Sequence, residues 1–285
     1  MSALKVLTYP NKLLKLILWN RMIQYTNRIA RPMSTIDHKQ IEHHSSFKND
    51  WWDLNGKMSG LHIFAPLRVQ FIRKGLANTG LKTKSLTLPL EGVKIADIGC
   101  GGGILTERLA RIGAQVTGID PSVELIDIAK QHVQLDSDIS DRVNYIQTTI
   151  EEFSEKNEEL YDVVVASEVL EHLVNPELFL KESVKILKPG GSIFITTINK
   201  TPASWFGGII VAEYIINIVP RGTHTWDKFI APHEVQRILE KYGCKTKLIH
   251  GAMINLLTNR WSWTSCTAIN YALHAIKQKK TDTQQ

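Results

Sequence analysis

The 285-residue chain contains only three cysteines, and its first 36 residues contain no acidic side chain. Cys100, Cys244 and Cys266 are an odd number and lack the close spacing of metal-binding cysteines. A disulfide framework is therefore not expected, and all three side chains are predicted to be reduced thiols.

The acid-free N-terminal segment accounts for the formal net charge of the chain, which is +6. Without the six cations that precede Asp37, the first acid, the chain has 28 basic and 28 acidic residues. Such a neutral body gives no reason to expect a nucleic-acid partner. We predict that residues 1–36 are a cleaved mitochondrial transit peptide, because Lys15 divides the apolar run that a secretory signal needs. The six cations are Lys5, Lys12, Lys15, Arg21, Arg28 and Arg31.

A glycine-rich turn follows the first apolar strand, and it lacks the last glycine of a dinucleotide-binding turn. In the pattern Gly-x-Gly-x-x-Gly, Ile104 would stand where that glycine lets a helix pack beneath a pyrophosphate. The spacing Asp-x-Gly-x-Gly-x-Gly resembles instead the signature of class I S-adenosylmethionine-dependent methyltransferases. Asp120 ends the second strand, where its carboxylate can accept hydrogen bonds from both hydroxyls of a ribose. The signature residues are Asp97, Gly99, Gly101 and Gly103.

Strand and helix patterns alternate from residue 91, which predicts an α/β fold with a doubly wound, mostly parallel, Rossmann-like sheet. Predicted strands cover 93–98, 115–119, 143–148, 161–167 and 192–197, with helices at 104–112, 123–133 and 178–187 and a turn at 188–191. A helix at 232–242, a strand at 245–250 and a last, antiparallel strand at 268–276 complete a domain over 91–276. Residues 37–90 are predicted to form an N-terminal helical lid, and 277–285 a disordered tail.

Ligands of such a sheet bind outside the carboxyl ends of its strands, where the strand order reverses. Gly99, Asp120, Thr149 and Ser167 are predicted to meet at this edge. Thr149 either borders an adenine or simply begins the helix that follows the third strand.

The segment after the fourth strand contains Glu168, Glu171 and His172 at spacings i, i+3 and i+4. One helical turn would place the three side chains on one face, where they can hold a divalent cation. Carboxylate ligands favour Mg²⁺, and the imidazole is also compatible with Mn²⁺ or Zn²⁺. In the alternative interpretation the acids complement the dipole of a helix start, and His172 packs under the sheet.

The chain lacks the Asn/Asp-Pro-Pro-aromatic turn with which enzymes that methylate nucleic-acid amino groups hold a planar amine. A hydroxyl acceptor differs because it must lose its proton during the attack, which calls for a base or for a metal that lowers its pKa. Glu171 and His172 are therefore the candidate catalytic residues, either as bases or as metal ligands.

A long apolar insertion occupies residues 200–230. Its stretch 202–220 contains a single charge, Glu213, but this residue and Asn217 argue against a membrane span, which needs roughly 20 apolar residues. The insertion either packs as a core helix, covers the pocket, touches a membrane surface or contacts an oily substrate.

Motifs spread over residues 41–271 resemble the O-methyltransferases of ubiquinone biosynthesis. The resemblance implies a peripheral enzyme on the matrix side of the mitochondrial inner membrane, within a complex of other ubiquinone-biosynthesis proteins. It further implies methyl transfer from S-adenosylmethionine to ring hydroxyls of polyprenylated dihydroxybenzoate and demethylubiquinol intermediates, which are catechols or quinols. The motifs are Trp51-Trp52-Asp53, Pro66-Leu67-Arg68, Thr197-Ile198-Asn199-Lys200-Thr201-Pro202, Ala212-Glu213-Tyr214 and Val219-Pro220-Arg221-Gly222-Thr223-His224-Thr225-Trp226-Asp227-Lys228-Phe229-Ile230.

The same resemblance implies a set of site residues. Ala65 departs from the asparagine that the family has before Pro-Leu-Arg, which puts the lid contact in doubt. Two other functions stay open: a non-catalytic, S-adenosylmethionine-binding assembly subunit, and an O-methyltransferase for another hydroxylated lipid. By position, the donor-binding residues would be Arg68, Gly99, Asp120 and Ser167, and the divalent ion, Mg²⁺ by preference, would be held by Glu168, Glu171 and His172.

Overall fold

The computed structural model describes residues 34–81, 85–205, 226–255 and 257–279. Residues 1–33 of the predicted transit peptide, most of the apolar insertion and the last residues of the tail lie outside these ranges. The chain divides into two compact units, Met1–Ser34 and Thr35–Gln285, and every element below belongs to the second.

An eight-stranded sheet organises the second unit, in the order β3-β2-β1-β4-β5-β8-β6-β7. The first five strands are parallel, and β8 is antiparallel to both β5 and β6. The strand order reverses between β1 and β4, which is where doubly wound sheets bind ligands. The strands are β1 Lys94–Ile98, β2 Gln115–Asp120, β3 Val143–Gln147, β4 Tyr161–Ser167, β5 Leu187–Ile198, β6 Cys244–Asn255, β7 Arg260–Thr264 and β8 Asn270–Lys277.

Helices connect the parallel strands and cover the sheet, whose central strands are buried on both faces. This burial explains why residues 163–166 of β4 are an apolar run without alternation. The helices are α1 His38–Ser45, α2 Ser59–Asn78, α3 Ile104–Arg111, α4 Val123–Val133, α5 Ser137–Ser140, α6 Ile150–Lys156, α7 Pro176–Lys185, α8 Pro202–Ser204 and α9 Pro232–Lys241. Short 3₁₀ turns lie at Lys48–Asp50, Leu170–His172 and Trp226–Lys228.

The predicted order of strands and helices is confirmed, and the structure adds the short helices α5 and α6 and three further local differences. The turn at 188–191 is an irregularity inside β5, because the register against β4 shifts between Tyr161 and Val163. The strand β7 was not predicted, and it pairs with an extended β6 to form a hairpin. Lys277 belongs to β8 and not to a disordered tail, since its Nζ donates to the backbone oxygens of Val184 and Leu187.

The N-terminal part of the described unit packs against the first turn of the sheet. Phe47, Trp51 and Met58 form a buried cluster with Ala65 of α2, Ile104 of α3 and Leu125 of α4. The segment is helical, and its role as a lid stays a prediction. Within the described ranges, no helix is both long enough and apolar enough to cross a membrane.

Candidate active site

The turn between β1 and α3 has a backbone that only glycine adopts readily. Gly99, Gly101 and Gly103 have φ angles of 74°, 53° and 93°, in the left-handed region. A Cβ on Gly99 would also fall 2.6 Å from Val169 Cγ2, so the turn packs closely against the segment that follows β4. The glycines of the signature therefore set the shape of the turn.

Asp97 is buried beneath this turn, with 2% of its surface exposed. Its Oδ2 accepts a hydrogen bond of 2.6 Å from the Thr106 hydroxyl on α3. Burial raises the pKa of Asp97 to about 6, against the lowering effect of that bond. Asp97 thus ties the strand to the helix across the turn.

Asp120 lies at the end of β2 with both carboxylate oxygens held by the backbone. Oδ2 accepts from the Gly101 amide at 3.0 Å, and Oδ1 accepts from the Ser122 amide at 2.9 Å. Burial raises the pKa of Asp120 to about 6. Because a carboxylate has roughly four acceptor positions, two stay available to the hydroxyls of a ribose.

Arg68 reaches from α2 to the end of β4, where it contacts Ser167. Its Nη1 donates to Ser167 Oγ at 2.8 Å, and its Nη2 donates to the Leu61 carbonyl at 2.8 Å. Arg68 is 4% exposed, its Nε has no hydrogen-bond partner, and burial lowers its pKa. A buried cation with a spare donor is suited to an anionic ligand group.

The acidic turn after β4 differs from the predicted helical turn. Glu168 has a φ of 56° and precedes the 3₁₀ turn Leu170–His172, so the three side chains do not share a helical face. Glu171 accepts from the Thr197 hydroxyl at 2.7 Å. Burial and the neighbouring charge of Glu168 raise the pKa of Glu171.

The metal prediction is not supported by a preformed site. Among the described residues, no three His, Cys, Asp or Glu side chains are arranged to hold a metal ion. The two carboxylates nevertheless each keep one buried oxygen, Glu168 Oε1 and Glu171 Oε1, without a hydrogen-bond partner.

His172 is held from the N-terminal helix α1. Its Nδ1 lies 3.0 Å from Gln40 Oε1, and its ring packs edge-on against His44 at a centroid distance of 4.6 Å. The alternative interpretation placed His172 beneath the sheet, whereas its imidazole contacts Gln40 and His44 of α1.

One pocket of about 620 Å³ joins these groups. This volume is within the range of sites for a small organic ligand, which is roughly 300–1,000 Å³. Thr149 also lines the pocket, and its side chain caps α6, so both interpretations of this residue fit. The pocket brings together every predicted site residue: Arg68, Gly99, Asp120, Ser167, Glu168, Glu171 and His172.

Comparisons with known proteins agree with this geometry. A family profile described as a methyltransferase domain matches residues 96–195. The mitochondrial ubiquinone biosynthesis O-methyltransferase of Rattus norvegicus is 44% identical over 245 residues, which cover 86% of this chain and 71% of the rat protein. The ubiquinone biosynthesis O-methyltransferase of Pelagibacter ubique is 39% identical over 245 residues, 86% of this chain and 100% of the bacterial protein. The chain belongs to the ubiquinone biosynthesis O-methyltransferases.

Membership in this family makes the chain an S-adenosylmethionine-dependent O-methyltransferase, and solved structures confirm the predicted fold class. Magnesium protoporphyrin IX methyltransferase from Synechocystis, solved with bound SAH, is 17% identical with a TM-score of 0.56. That match covers 84% of this chain and 99% of the Synechocystis chain. A SAM dependent methyltransferase from Aquifex aeolicus is 19% identical with a TM-score of 0.52, over 82% and 98% of the two chains. At these identities the similarity establishes the fold alone.

The contacts between Trp52 and the glycine turn of this O-methyltransferase were not predicted from the sequence. Trp52 Nε1 donates to the Gly102 carbonyl at 3.0 Å, and the Trp52 indole stacks on His132 at 3.4 Å with an interplanar angle of 1°. His132 Nδ1 lies 2.8 Å from the buried Glu107 Oε1 of α3. The tryptophan pair was visible only as a family motif, and nothing in its spacing indicated these partners.

The three cysteines of the O-methyltransferase are free, as predicted. Cys100 and Cys244 are buried, and Cys266 is exposed. Burial raises the pKa of the Cys100 thiol, which keeps it protonated inside the glycine turn.

Proposed function

We propose that this protein transfers the methyl group of S-adenosylmethionine to ring hydroxyls of ubiquinone precursors, namely polyprenylated dihydroxybenzoate and demethylubiquinol intermediates. The observation that carries the proposal is one pocket that contains both the Asp120 carboxylate beside the glycine turn and the Glu171–His172 turn. The relatives' names, which refer to ubiquinone biosynthesis, support the choice of acceptor.

The donor would bind at Arg68, Gly99, Asp120 and Ser167. Asp120 fits the ribose because two backbone amides hold its carboxylate in place and leave acceptor positions for the hydroxyls. Arg68 fits the carboxylate of the methionine moiety because it is a buried cation whose Nε has no hydrogen-bond partner. Its bond to Ser167 fixes the guanidinium at the end of β4.

S-adenosylmethionine supplies a methyl group bonded to a positively charged sulfur. In the transfer, the new carbon–oxygen bond forms as the carbon–sulfur bond breaks, and the acceptor hydroxyl gives up its proton. His172 or Glu171 is proposed to receive this proton, with Gln40 holding the imidazole through Nδ1. Holding donor and acceptor in line within one pocket contributes the larger part of the acceleration.

A divalent cation, Mg²⁺ by preference, is proposed to bind at Glu168, Glu171 and His172. The buried carboxylate oxygens without hydrogen-bond partners favour a cation there, because an unpaired buried carboxylate is costly. Since no three-residue group is preformed in the described part of the chain, the cation itself would have to draw the ligands together.

The cation proposal can be tested without turnover, by titrating the purified chain with MgCl₂ alone in a calorimeter. Saturable binding to the wild type and to Glu155→Gln, an exposed control, together with loss of binding in Glu171→Gln, is the expected result. Equal heats for all three proteins would remove Glu171 from the ligand set.

The protein is proposed to act on the matrix side of the mitochondrial inner membrane, as a peripheral member of a biosynthetic complex. The acid-free, basic segment 1–36 supports import, and the rat relative is named as mitochondrial. Import into isolated mitochondria, followed by extraction with alkaline carbonate, tests both parts. After extraction, a peripheral protein is released into the supernatant. If added protease degrades the protein before the mitochondria are lysed, the protein was not imported, which would contradict the import proposal.

The enzymatic proposal is tested by incubating the purified chain with donor that carries a labelled methyl group. The acceptors are catechols and quinols with and without a short prenyl tail, and unrelated hydroxylated lipids. We expect label on the ring oxygen of the prenylated compounds. Asp120→Asn should lose turnover, while Asp127→Asn, an exposed aspartate of α4, should keep it. Donor binding without label transfer to any acceptor would identify an assembly subunit, and preferential labelling of another lipid would identify a different substrate.

A further inference from the structure

The pocket has two chemically different ends. We call the part of the lining with Asp97, Asp120 and the acidic turn the donor end, and the part contributed by α8 and the hairpin of β6 and β7 the uncharged end. The residues of segment 252–270 that line the pocket carry no charge. With Ala203 of α8, the residues at the uncharged end include Met253, Ile254, Trp261, Cys266 and Ile269.

The uncharged end is also where most of the exposed lining residues lie. Ala203, Met253 and Cys266 line the pocket and are exposed, and Met253 exposes 55% of its surface. Two further apolar side chains are exposed next to these residues in the chain, Trp205 at 48% and Leu257 at 97%. Among the described residues, α8 and the hairpin therefore give the pocket an exposed apolar border, which we call its apolar mouth.

The size of the pocket requires such a mouth for a prenylated acceptor. About 620 Å³ must hold the methyl donor and an aromatic ring, and a volume of this order suits one small organic ligand. A chain of several isoprene units next to that ring exceeds the remaining space. The tail must therefore leave the pocket. An apolar tail is most stable along an apolar wall, because its surface there stays out of water.

The wall is connected to the donor site by direct contacts. Ile254 and Trp261 are paired across the hairpin, and both line the pocket. Trp261 stacks on Phe64 of α2 at a centroid distance of 4.3 Å, and the Arg68 guanidinium also lies over the Phe64 ring, 5.0 Å from its centroid. Arg68 in turn donates to Ser167. The hairpin wall therefore lies next to Arg68 and Ser167, two of the proposed donor-binding residues.

We infer that the β6–β7 hairpin is the subsite for the first isoprene units of the acceptor's tail, with Ile254 and Trp261 as its contact residues and Met253 at its exposed rim. The inference rests on the proposed function and extends it, because it assigns tail recognition to residues outside the methyltransferase profile at 96–195. The hairpin would select for a tail without taking part in methyl transfer.

The test compares one catechol ring with and without a tail of three isoprene units, in detergent micelles, by kcat/KM. Met253→Asp introduces a charge at an exposed position, so folding should be unaffected, and Ile254→Asp places one deeper in the wall. Both variants should lower kcat/KM for the tailed catechol by at least tenfold and leave the tailless catechol within twofold of wild type. Leu135→Asp, at an exposed apolar site that does not line the pocket, is the control.

The outcomes separate this inference from the function on which it rests. Equal losses for both catechols, or no loss for either, would overturn the tail subsite while leaving methyl transfer intact. If the wild type methylates neither catechol, the proposed function fails first.

Discussion

The indole of Trp51 occupies the space in which a side chain on Gly102 would stand. A Cβ built on Gly102 would fall 2.3 Å from Trp51 Cδ1, far inside van der Waals contact. Trp51 is 5% exposed, and its carbonyl lies 2.9 Å from His62 Nε2, so the indole has little freedom to move. The N-terminal segment therefore packs closely against the glycine turn and requires a glycine at position 102.

Gly102→Ala is expected to destabilise the fold by about 1–3 kcal/mol, the usual loss when a well-packed contact is overfilled. Chemical denaturation measures the change. In a Trp51→Ala background the added methyl group meets no indole, so Gly102→Ala should then change the free energy of unfolding much less. Additive losses in the double variant would show that the strain has another origin.

Trp52→Phe should weaken S-adenosylmethionine binding by roughly two- to tenfold, because the Gly102 carbonyl loses a hydrogen bond of about 0.5–1.5 kcal/mol while the ring stack on His132 is kept. Calorimetry gives the Kd. The matched control is Trp226→Phe, which removes an indole bond to the Thr201 carbonyl away from the turn. An unchanged Kd in Trp52→Phe would mean that the turn keeps its shape without this bond.

The sequence predicted the part of this site that the sheet edge determines. Asp97, Gly99, Asp120 and Ser167 each stand at the carboxyl end of a parallel strand or in the turn after it, so topology alone brings them together. No sequence pattern indicated the contacts between segments that are distant in the chain. Gln40 and His172 are 132 residues apart, and their bond depends on where α1 packs.

The acidic turn was predicted less well, because its backbone conformation has no signal in the sequence. The i, i+3, i+4 spacing assumed helical dihedral angles, whereas Glu168 has a φ of 56°. A non-glycine residue in this region is uncommon and is held by its surroundings, here by the bond from its amide to the Thr196 carbonyl. No side-chain pattern in the segment indicates that conformation.

Arg68→Lys should weaken donor binding by at least tenfold. The guanidinium donates to both Ser167 Oγ and the Leu61 carbonyl, and a lysine ammonium cannot reproduce this fork in the same buried space. Hydrogen bonds of a charged group contribute about 1.5–3 kcal/mol each, and one of them would be lost. Arg73→Lys, an exposed arginine of the same helix, controls for the substitution. Equal Kd values for the two variants would contradict a role of Arg68 at the donor.

Donor binding should weaken below pH 6. Burial raises the pKa of Asp120 to about 6, and only its ionised carboxylate accepts hydrogen bonds at every lone pair. The Kd should therefore rise between pH 7 and pH 5, by up to about tenfold per pH unit below the pKa. Calorimetry in buffers of different ionisation enthalpy should detect proton release near pH 6. Asp120→Asn should bind weakly with a flatter pH dependence, and a Kd independent of pH in the wild type would refute the linkage.

The free energy of unfolding should fall between pH 6.5 and pH 4 because of His274. This buried imidazole lies 3.0 Å from Ser192 Oγ and stacks on Phe194 at 4.2 Å. Burial lowers its pKa from 6.5 to about 4. In that interval the unfolded chain binds a proton that the folded chain does not, so acidification favours unfolding, by about 3 kcal/mol over the whole range.

His274→Gln isolates this contribution from Asp97 and Asp120, whose raised pKa values act in the opposite direction over a similar pH range. The glutamine amide can still hydrogen-bond to Ser192 but does not titrate. The difference in free energy of unfolding between wild type and variant should therefore narrow as the pH falls from 6.5 to 4. Above pH 7 the difference should stay constant. Denaturation midpoints at matched pH values measure it. A difference that is the same at pH 4.5 and pH 7.5 would show that folding does not lower the pKa of His274.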